Sequence, residues 1–508
     1  MASFVRNFDA LDATEPYDVC IAGAGLAGTV LGVKLVRAGL RVLLVDAGAS
    51  PSSNDRPALD AAGGARHGVL PFVPGSGGGS HFLWHDICER LDPGDFRVHP
   101  YNRRSNPWPI GYADLEPYYR AAEQMLRVRQ VPPAPGRHLP QCERGRSDPA
   151  LAALLRRHGI DAKGAARATP GRGRKTFTTS AELLPEFLVS RKGTLVSGVT
   201  VTRLRTDGNG RVIGAVCRTA DGVSKTARAE TFVVAAGAVE TPRLLLLSRS
   251  QRFTRGLGND LDRVGRGLTD QAIVRAQGRI ERLGGRPRVP PPVHTEQFHQ
   301  MFRRDGLGAV HPFFVRAVGV IGPDGWRARL ADAVHRREAV TLACRVETVP
   351  ADDNRVTLST SLDVFGDPRA QLVFDYSAED LELIARTRAW LERWLERLGS
   401  TERSQGDIEW AGCPSGTCRI GADPRTSVCD PMLRVHSSPN LYVCGAATFP
   451  RGGAVPPALT VAALAHRLAE HIAARVRWCA RATPKPPHTP AAATVAAPIP
   501  LVRRRPQP

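Results

Sequence analysis

Apolar residues follow two different periods along this chain, one typical of buried strands and one typical of helices. Residues 17–46 begin with an unbroken apolar run, continue through a glycine-rich turn and a helical stretch, and end in a second run, "VLLVD". Unbroken apolar runs of this length suit parallel strands that are buried on both faces. The pattern therefore predicts a strand–helix–strand unit of a doubly wound α/β sheet.

A second pair of apolar runs predicts a β-hairpin. The runs "TLVSGVTVTRL" and "RVIGAVCRT" are separated by "TDGNG", whose glycines and polar residues favour a tight turn. The segment "ETFVVAAGAVETPRLLLLS" follows, and its pattern predicts a buried strand that turns sharply into a helix.

Residues 266–376 alternate strand-like runs with Pro and Gly breaks, which predicts a mostly antiparallel second region. One long helix is predicted after it, because Ser377 and Asp380 form a capping pattern and Gly399 ends the stretch. Its predicted buried face consists of Leu381, Ile384, Leu391, Leu395 and Leu398. From about Cys479 the chain is rich in Pro and Ala, so residues 479–508 are predicted to be a disordered tail.

The positive charge of the chain does not form a recognisable nucleic-acid site. The formal net charge is +20, yet the arginines are scattered and no basic run is interleaved with aromatic residues. Binding to a polyanion needs such charges to be clustered. A nucleic-acid partner is therefore not expected, and the composition of 42% hydrophobic and 23% charged residues is that of an ordinary globular protein.

Cysteine usage and the N-terminus predict a reduced, cytoplasmic protein. Ten cysteines in 508 residues are too few for a disulfide scaffold, and no CxxC pair occurs. Cys413, Cys418 and Cys429 lack a fourth partner at a metal-ligand spacing, so no metal site is predicted. The N-terminus has no apolar h-region, and no run of 18 apolar residues suggests a membrane span.

The turn after the first predicted strand has the pattern of a dinucleotide site. Gly23, Gly25 and Gly28 form GxGxxG, in which the glycines allow a tight turn, close approach of a pyrophosphate, and close packing of helix on strand. Asp46 ends the second strand 18 residues after Gly28 and can accept hydrogen bonds from a ribose. NAD and FAD both satisfy this pattern.

The rest of the chain favours FAD through its resemblance to one family. The segments that carry the resemblance are "GGGSHFLWHDICERLDPGDF", "NPWPIGYADLEPYYRAAE", "VVAAGAVETPRLLLLS", "RVTLSTSLDVFGDPR" and "GTCRIGADPRTSVCDPMLRVHSSPNLYVCGAATFP". Together, and in this order, they resemble the glucose/methanol/choline (GMC) flavoprotein oxidoreductases from Tyr17 to Ile472. The resemblance implies a Rossmann-like FAD domain formed by residues 1–115, 190–265 and 408–475. It also implies a mostly antiparallel α+β substrate domain formed by residues 116–189 and 266–407.

The resemblance also implies which residues bind FAD. These are Gly23, Gly25, Leu26, Ala27, Gly28, Asp46, Ala47, Gly78, Gly79, Ser80, Val201, Ala236, Gly237, Gly445, Ala446 and Pro457. Some relatives attach FAD covalently through a histidine one residue before the position of Trp84, and here that residue is Leu83. The resemblance therefore implies non-covalent FAD.

The activity that the resemblance implies is oxidation of a CH–OH group in an alcohol, polyol or sugar, with hydride transfer to flavin N5. In the family a histidine three residues before the glycine of a "GT" pair accepts the hydroxyl proton, a role typically worth ~10² to 10⁴ in rate. Here that position holds Cys413, and the position of its Asn or His partner holds Pro456. The identity of the small-molecule substrate and of the electron acceptor is not readable from the sequence.

Three interpretations of this substitution remain open. The base is supplied elsewhere, with His85 and His81 as candidates in the loop that the resemblance places against the flavin. Alternatively Cys413 itself acts chemically, which requires a cationic neighbour such as Arg419 to favour the thiolate. In the third interpretation the chain binds FAD without redox turnover, as a lyase-like, isomerase-like or inactive protein.

Overall fold

The computed structural model describes a chain with two main hydrophobic cores, one around a parallel sheet and one around an antiparallel sheet. Strands are numbered β1–β20 and helices α1–α8 along the chain. The residues described are 8–12, 15–48, 60–62, 87–97, 107–128, 130–131, 141–142, 148–172, 177–281, 283, 293–316 and 337–482.

Five strands form a wholly parallel sheet, which confirms the predicted doubly wound α/β unit. They are β1 (Tyr17–Ala22), β2 (Val42–Asp46), β7 (Gly193–Ser197), β11 (Ala229–Val234) and β20 (Leu441–Val443). The order across the sheet is β20-β11-β1-β2-β7. The central strands are almost entirely buried, as their unbroken apolar runs predicted.

The predicted hairpin exists, but its first arm is shorter than the apolar run. The arms belong to an antiparallel sheet of β8 (Val199–Thr206), β9 (Val212–Thr219) and β10 (Ser224–Ala227). The run from Thr194 to Leu204 is divided at Gly198, whose φ of +68° is a left-handed conformation that favours glycine. Residues before this glycine join the parallel sheet as β7, and only those after it pair with β9.

The second region is built on a seven-stranded sheet whose pairs are antiparallel, as the sequence predicted. Its strands are β6 (Lys163–Gly164), β12 (Ala272–Glu281), β13 (Val293–His294), β14 (Val310–Arg316), β15 (Arg337–Val346), β18 (Thr401–Gln405) and β19 (Glu409–Trp410). The two remaining small sheets are formed by β3 (Asp60–Ala62), β16 (Arg355–Leu362) and β17 (Pro368–Val373), and by β4 (Gln130–Val131) and β5 (Gln141–Cys142).

Helices cover both sheets. They are α1 (Leu26–Arg37), α2 (Tyr112–Met125), α3 (Pro149–Arg157), α4 (Thr179–Glu182), α5 (Leu184–Val189), α6 (Gly237–Leu247), α7 (Ala378–Arg397) and α8 (Ala458–Ala482). Short 3₁₀ helices span Phe8–Asp12, Pro93–Phe96, Arg303–Asp305 and Ala446–Thr448. Both α1 and α2 pack against α8.

The long helix α7 has the predicted ends but a rotated buried face. The Ser377 hydroxyl accepts a hydrogen bond from the Asp380 amide at 3.1 Å, and the Asp380 carboxylate accepts one from the Ser377 amide at 2.9 Å. Ile384, Leu391, Leu395 and Leu398 are buried as predicted, whereas Leu381 is 41% exposed. Leu383 takes its place because it packs toward the core with Trp390 and Trp394.

The C-terminal helix α8 continues further than the composition suggested. It ends at Ala482, so residues 479–482 are helical and do not belong to a disordered tail; the rest of the predicted tail lies outside the described residues. None of the helices in the described ranges has the length and apolarity that crossing a bilayer requires.

Candidate active site

The turn between β1 and α1 has the geometry that a pyrophosphate needs. Gly23 has a φ of +109°, and a Cβ at this position would lie 2.5 Å from the Ala235 carbonyl oxygen. A Cβ at Gly28 would lie 1.9 Å from the Gly23 carbonyl oxygen. Gly25 is the N-cap residue of α1 and makes no side-chain capping hydrogen bond. The residues present therefore fit a phosphate group on the helix N-terminus.

Asp46 lies at the mouth of the same turn. One carboxylate oxygen accepts a hydrogen bond from the Ala24 amide at 2.6 Å, and the other accepts one from the Gly48 amide at 2.9 Å. Burial raises the pKa of Asp46, and the two amide hydrogen bonds partly oppose this shift. The exposed Ala47 follows it. The assignment of Asp46 to a ribose stays a prediction, and the structure places its carboxylate where the second strand ends.

Two further turns reach the same edge of the parallel sheet. Ala236 precedes α6, whose first residue Gly237 has a φ of +78°. Gly445, with a φ of +134°, follows β20 and precedes the 3₁₀ helix that starts at Ala446. Because β1, β11 and β20 are neighbouring parallel strands, their carboxyl ends meet at one edge. Val201 lies half-buried on β8.

A small pocket lies next to this edge and contains two residues selected from the sequence, Cys413 and Pro457. Its lining consists of Thr269, Asp270, Gln271, Thr348, Cys413, Ser415, Gly452, Gly453 and Pro457. The segment that follows Cys413 runs along the short 3₁₀ helix of the cofactor edge. The Gly416 amide donates to the Ala446 carbonyl at 3.0 Å, and the Cys418 amide donates to the Ala447 carbonyl at 2.7 Å. The pocket is therefore tied directly to the predicted flavin site.

The Cys413 thiol is held in its protonated form. Burial raises its pKa to about 11, the Asp270 charge adds to this shift, and Arg345 opposes it. Arg419, the cation suggested from the sequence, lies elsewhere: its guanidinium contacts the Asp352 carboxylate at 3.1 Å. That side chain packs against Gly267, where a Cβ would lie 2.3 Å from the Arg419 Nη1. The cation that acts on Cys413 is therefore Arg345, whereas Arg419, whose side was open in the sequence, is paired with Asp352.

Asp270 is a site residue that the sequence did not identify. Its carboxylate accepts hydrogen bonds from the amides of Gly412 and Cys413, each at 2.9 Å, and from its neighbour Gln271 at 2.7 Å. Burial raises the pKa of Asp270 to about 6, although these amides and Arg345 lower it. The residue precedes β12, 143 positions before Cys413. No local pattern marks it, because its importance arises from a long-range contact.

Six residues that the sequence places at the flavin belong to the loop before Ile87. Gly78, Gly79, Ser80, His81, Leu83 and His85 lie outside the described residues. Their roles at the flavin stay predictions. Seven cysteines are free thiols, namely Cys20, Cys217, Cys344, Cys413, Cys418, Cys429 and Cys444, and all of these are buried except the half-buried Cys413.

Comparison with protein families identifies the architecture that these turns belong to. The N-terminal model of the GMC oxidoreductases matches residues 21–273, and the C-terminal model matches residues 350–465. The chain belongs to the GMC oxidoreductase family. FAD is therefore its cofactor, as the resemblance predicted, and the glycine turns described above fit that group.

Individual relatives span nearly the whole chain. Paromamine 6′-oxidase of Streptomyces fradiae is 29% identical over 519 residues, which cover 92% of this chain and 93% of the relative. The fructose dehydrogenase large subunit of Gluconobacter japonicus is 26% identical and covers 90% and 97%. The crystal structure of pyridoxine 4-oxidase from Mesorbium loti superposes with a TM-score of 0.65 at 20% identity, covering 90% of this chain and 99% of that one. This last likeness shows the shared fold.

Proposed function

We propose that this GMC oxidoreductase oxidises a CH–OH group of a sugar or a similar polyhydroxylated donor, using FAD that is not covalently attached. Two of the relatives are named for oxidising paromamine at its 6′ position and for dehydrogenating fructose. Bound FAD would supply the acceptor for the hydride that leaves the donor carbon. Leu83 stands at the position where some members attach FAD through a histidine, which supports non-covalent binding.

The observation that carries this proposal is the pocket beside the cofactor edge. Its lining includes Asp270, Cys413, Ser415 and Pro457. The chain that follows Ser415 donates backbone hydrogen bonds to the carbonyls of residues 446–448 at the cofactor edge. A donor hydroxyl in this pocket would meet the carboxylate, the thiol and the two hydroxyls of Thr269 and Ser415, which lie 2.8 Å apart. Convergent polar groups in one concave site are typical of a substrate-binding position.

Asp270 is the proton acceptor that these groups favour. A general base works best when its pKa lies near the working pH. The pKa of Asp270 is about 6, so the carboxylate is largely ionised at pH 7, whereas the pKa of Cys413 is about 11 and its thiol is not. Asp270 would take the hydroxyl proton at a carboxylate oxygen, and Cys413 would hydrogen-bond to the donor. His85, predicted as a second candidate base, is kept as the alternative.

The domain division stays part of the proposal. Residues 1–115, 190–265 and 408–475 would bind FAD, and residues 116–189 and 266–407 would cover the substrate. The separation of the two hydrophobic cores supports this division. Residues of α2 and of the segment near Phe177 join the first core, so part of 116–189 packs on the FAD side. A cytoplasmic location is likewise proposed, and the free thiols support it.

Anaerobic reduction of the bound flavin tests the function. The purified yellow protein would be mixed without oxygen with hexoses, amino sugars, polyols and simple alcohols, and its visible absorbance followed. Bleaching by a sugar-type donor is the expected result. If dithionite bleaches the flavin and no donor does, the chain is an FAD-binding protein without redox turnover and the proposal fails.

A further inference from the structure

A second group of side chains that can bind a ligand contains none of the residues that line the pocket. Glu89, His294 and His311 come together from three separate segments of the chain. The segment that carries Glu89 is fixed by a 2.8 Å hydrogen bond from the Cys88 amide to the Ala166 carbonyl. His294 lies on β13 and His311 on the adjacent antiparallel strand β14, where His294 is paired with Phe313. Side chains two residues apart on a strand share a face, so the two imidazoles are diagonal neighbours.

Two ring nitrogens and the carboxylate of Glu89 come close together in this cluster. His294 Nδ1 and His311 Nε2 lie 3.0 Å apart. His311 Nε2 lies 2.9 Å from one carboxylate oxygen of Glu89, and His294 Nδ1 lies 3.7 Å from the other. In a tetrahedral zinc site with ligand distances near 2.1 Å, neighbouring ligand atoms are ~3.4 Å apart. The observed separations of 2.9 to 3.7 Å bracket this value, so the two nitrogens and the carboxylate are spaced like neighbouring ligands of such a site.

Hydrogen bonds within the protein do not satisfy these groups. His311 Nε2 carries at most one proton, so it cannot donate to both Glu89 and His294. Among the described residues, Glu89 Oε2, which faces the two imidazoles, has no hydrogen-bond partner; His294 Nε2 and His311 Nδ1, the ring nitrogens opposite the ones in the cluster, have none either. The residues are only 8%, 2% and 0% exposed, and unsatisfied polar groups at such depth are costly.

We propose that Glu89, His294 and His311 bind a divalent transition-metal ion of zinc type. Two imidazoles and one carboxylate are a common ligand set for such ions, and three protein ligands leave a fourth position open. This metal site is additional to the oxidation reaction proposed above. The sequence predicted no metal because that prediction considered only cysteine spacing.

The surroundings limit how tightly the ion is held. Arg345 is paired with His311 across β14 and β15, and Arg345 and Arg167 act electrostatically on His294. Lys163 acts on Glu89, although its ammonium is paired with Glu296 at 2.7 Å. These cations oppose a further positive charge, so the metal is expected to exchange rather than to stay bound through purification. Binding must therefore be measured by titration.

Equilibrium dialysis against Zn²⁺ tests this site without relying on enzyme activity. Chelator-treated protein should take up one Zn²⁺ per chain, and Co²⁺ in its place should give visible d–d absorption. Glu89→Gln and His294→Asn should each weaken Zn²⁺ binding by at least about tenfold, the scale that loss of even a supporting group produces. Far-UV circular dichroism would verify that each variant is folded, and flavin content is recorded separately.

His466→Gln is the matched control, because His466 is a buried histidine far from this cluster in sequence, on α8. It should bind Zn²⁺ like the wild type. Wild-type protein that binds no Zn²⁺ would overturn the proposal. So would folded Glu89→Gln and His294→Asn variants that bind Zn²⁺ as tightly as the wild type, since the ion would then lie elsewhere. Neither result depends on whether the protein oxidises a sugar.

Discussion

At the scale of single residues, the chemistry of the pocket depends on which group carries a proton. The Cys413 amide donates a hydrogen bond to the Asp270 carboxylate, so the carboxylate and the thiol are close. A negative charge on the carboxylate therefore disfavours a negative thiolate. Burial places the pKa of the carboxyl near 6 and that of the thiol near 11. At neutral pH only the carboxylate is available to accept a proton.

Replacing the thiol should therefore leave most of the activity. Cys413→Ala is expected to reduce the donor-dependent rate of flavin reduction by less than about tenfold, whereas loss of a general base typically costs ~10² to 10⁴. Stopped-flow absorbance would measure the rate. Cys418→Ala, which removes a buried thiol outside the pocket lining, is the control. A loss above ~10² in Cys413→Ala alone would show that the thiol is the base.

Asp270 should govern the pH dependence of the reaction. The pKa of this carboxyl is raised to about 6 and the ionised form is the active one, so kcat/KM should be low in acid and rise through about pH 6. In Asp270→Asn the residual rate should be ~10² to 10⁴ lower and should lack this rise. An unchanged inflection near pH 6 in Asp270→Asn would assign the titration to another group.

At the scale of secondary-structure elements, the turn from β1 into α1 is the feature that the sequence predicted best. Its glycines are close in sequence. At Gly23 and Gly28 a side chain would collide with a carbonyl oxygen of the neighbouring strand or of the turn itself. Elements fixed by distant contacts were predicted less well. The apolar run from Thr194 to Leu204 looks continuous in the sequence. In the structure, the residues before Gly198 belong to the parallel sheet and those after it belong to the antiparallel hairpin. Leu381 fits a helical spacing, yet only the packing of α7 shows that Leu383 is the buried residue.

The β1–α1 turn provides a direct test of cofactor binding. Gly28→Ala would place a methyl group 1.9 Å from the Gly23 carbonyl oxygen, so β1 and α1 must move apart. We expect purified Gly28→Ala protein to have lost most of its FAD, as measured by visible absorbance against protein content. In the hairpin turn, a Cβ at Gly208 would meet nothing within 4 Å, so Gly208→Ala should keep FAD at the wild-type level. Full FAD occupancy in Gly28→Ala would contradict the assigned site.

At the scale of the whole molecule, a buried charge network joins segments that are far apart in the chain. The Arg303 guanidinium contacts the Asp95 carboxylate, and His299 Nε2 lies 3.3 Å from an oxygen of the same carboxylate. The Arg451 guanidinium donates two hydrogen bonds to Glu347, at 3.0 and 2.9 Å. Arg451 directly precedes two glycines of the pocket lining. Sequence patterns did not predict the role of Asp270, the cluster of Glu89, His294 and His311, or this charge network. In each case the residues are far apart in the chain and come together only in the folded structure.

The network predicts a specific loss of stability in acid. Burial alone would raise the pKa of Asp95, but His299, Arg303 and Arg451 lower it from 3.8 to about 2. A carboxyl with a lowered pKa stabilises the fold above its ordinary pKa and loses this effect as the pH falls toward the folded value. Asp95→Asn should cost about 3 to 5 kcal/mol of unfolding free energy at pH 7.

Urea unfolding at a series of pH values would measure this effect. The difference in stability between the wild type and Asp95→Asn should shrink as the pH falls through about 4 toward 2. A difference that stays the same down to the lowest pH would show that ionisation of Asp95 does not stabilise the fold.

The most direct test of the account is an isotope effect on reduction of the bound flavin. The protein would be mixed anaerobically with the best donor from the panel, once with hydrogen and once with deuterium on the carbinol carbon, and the loss of flavin absorbance timed. Slower reduction by the deuterated donor is predicted, because the bond from that carbon to hydrogen breaks as the hydride leaves. A flavin that dithionite reduces but neither donor does, or equal rates with both donors, would contradict rate-limiting hydride transfer from a CH–OH group.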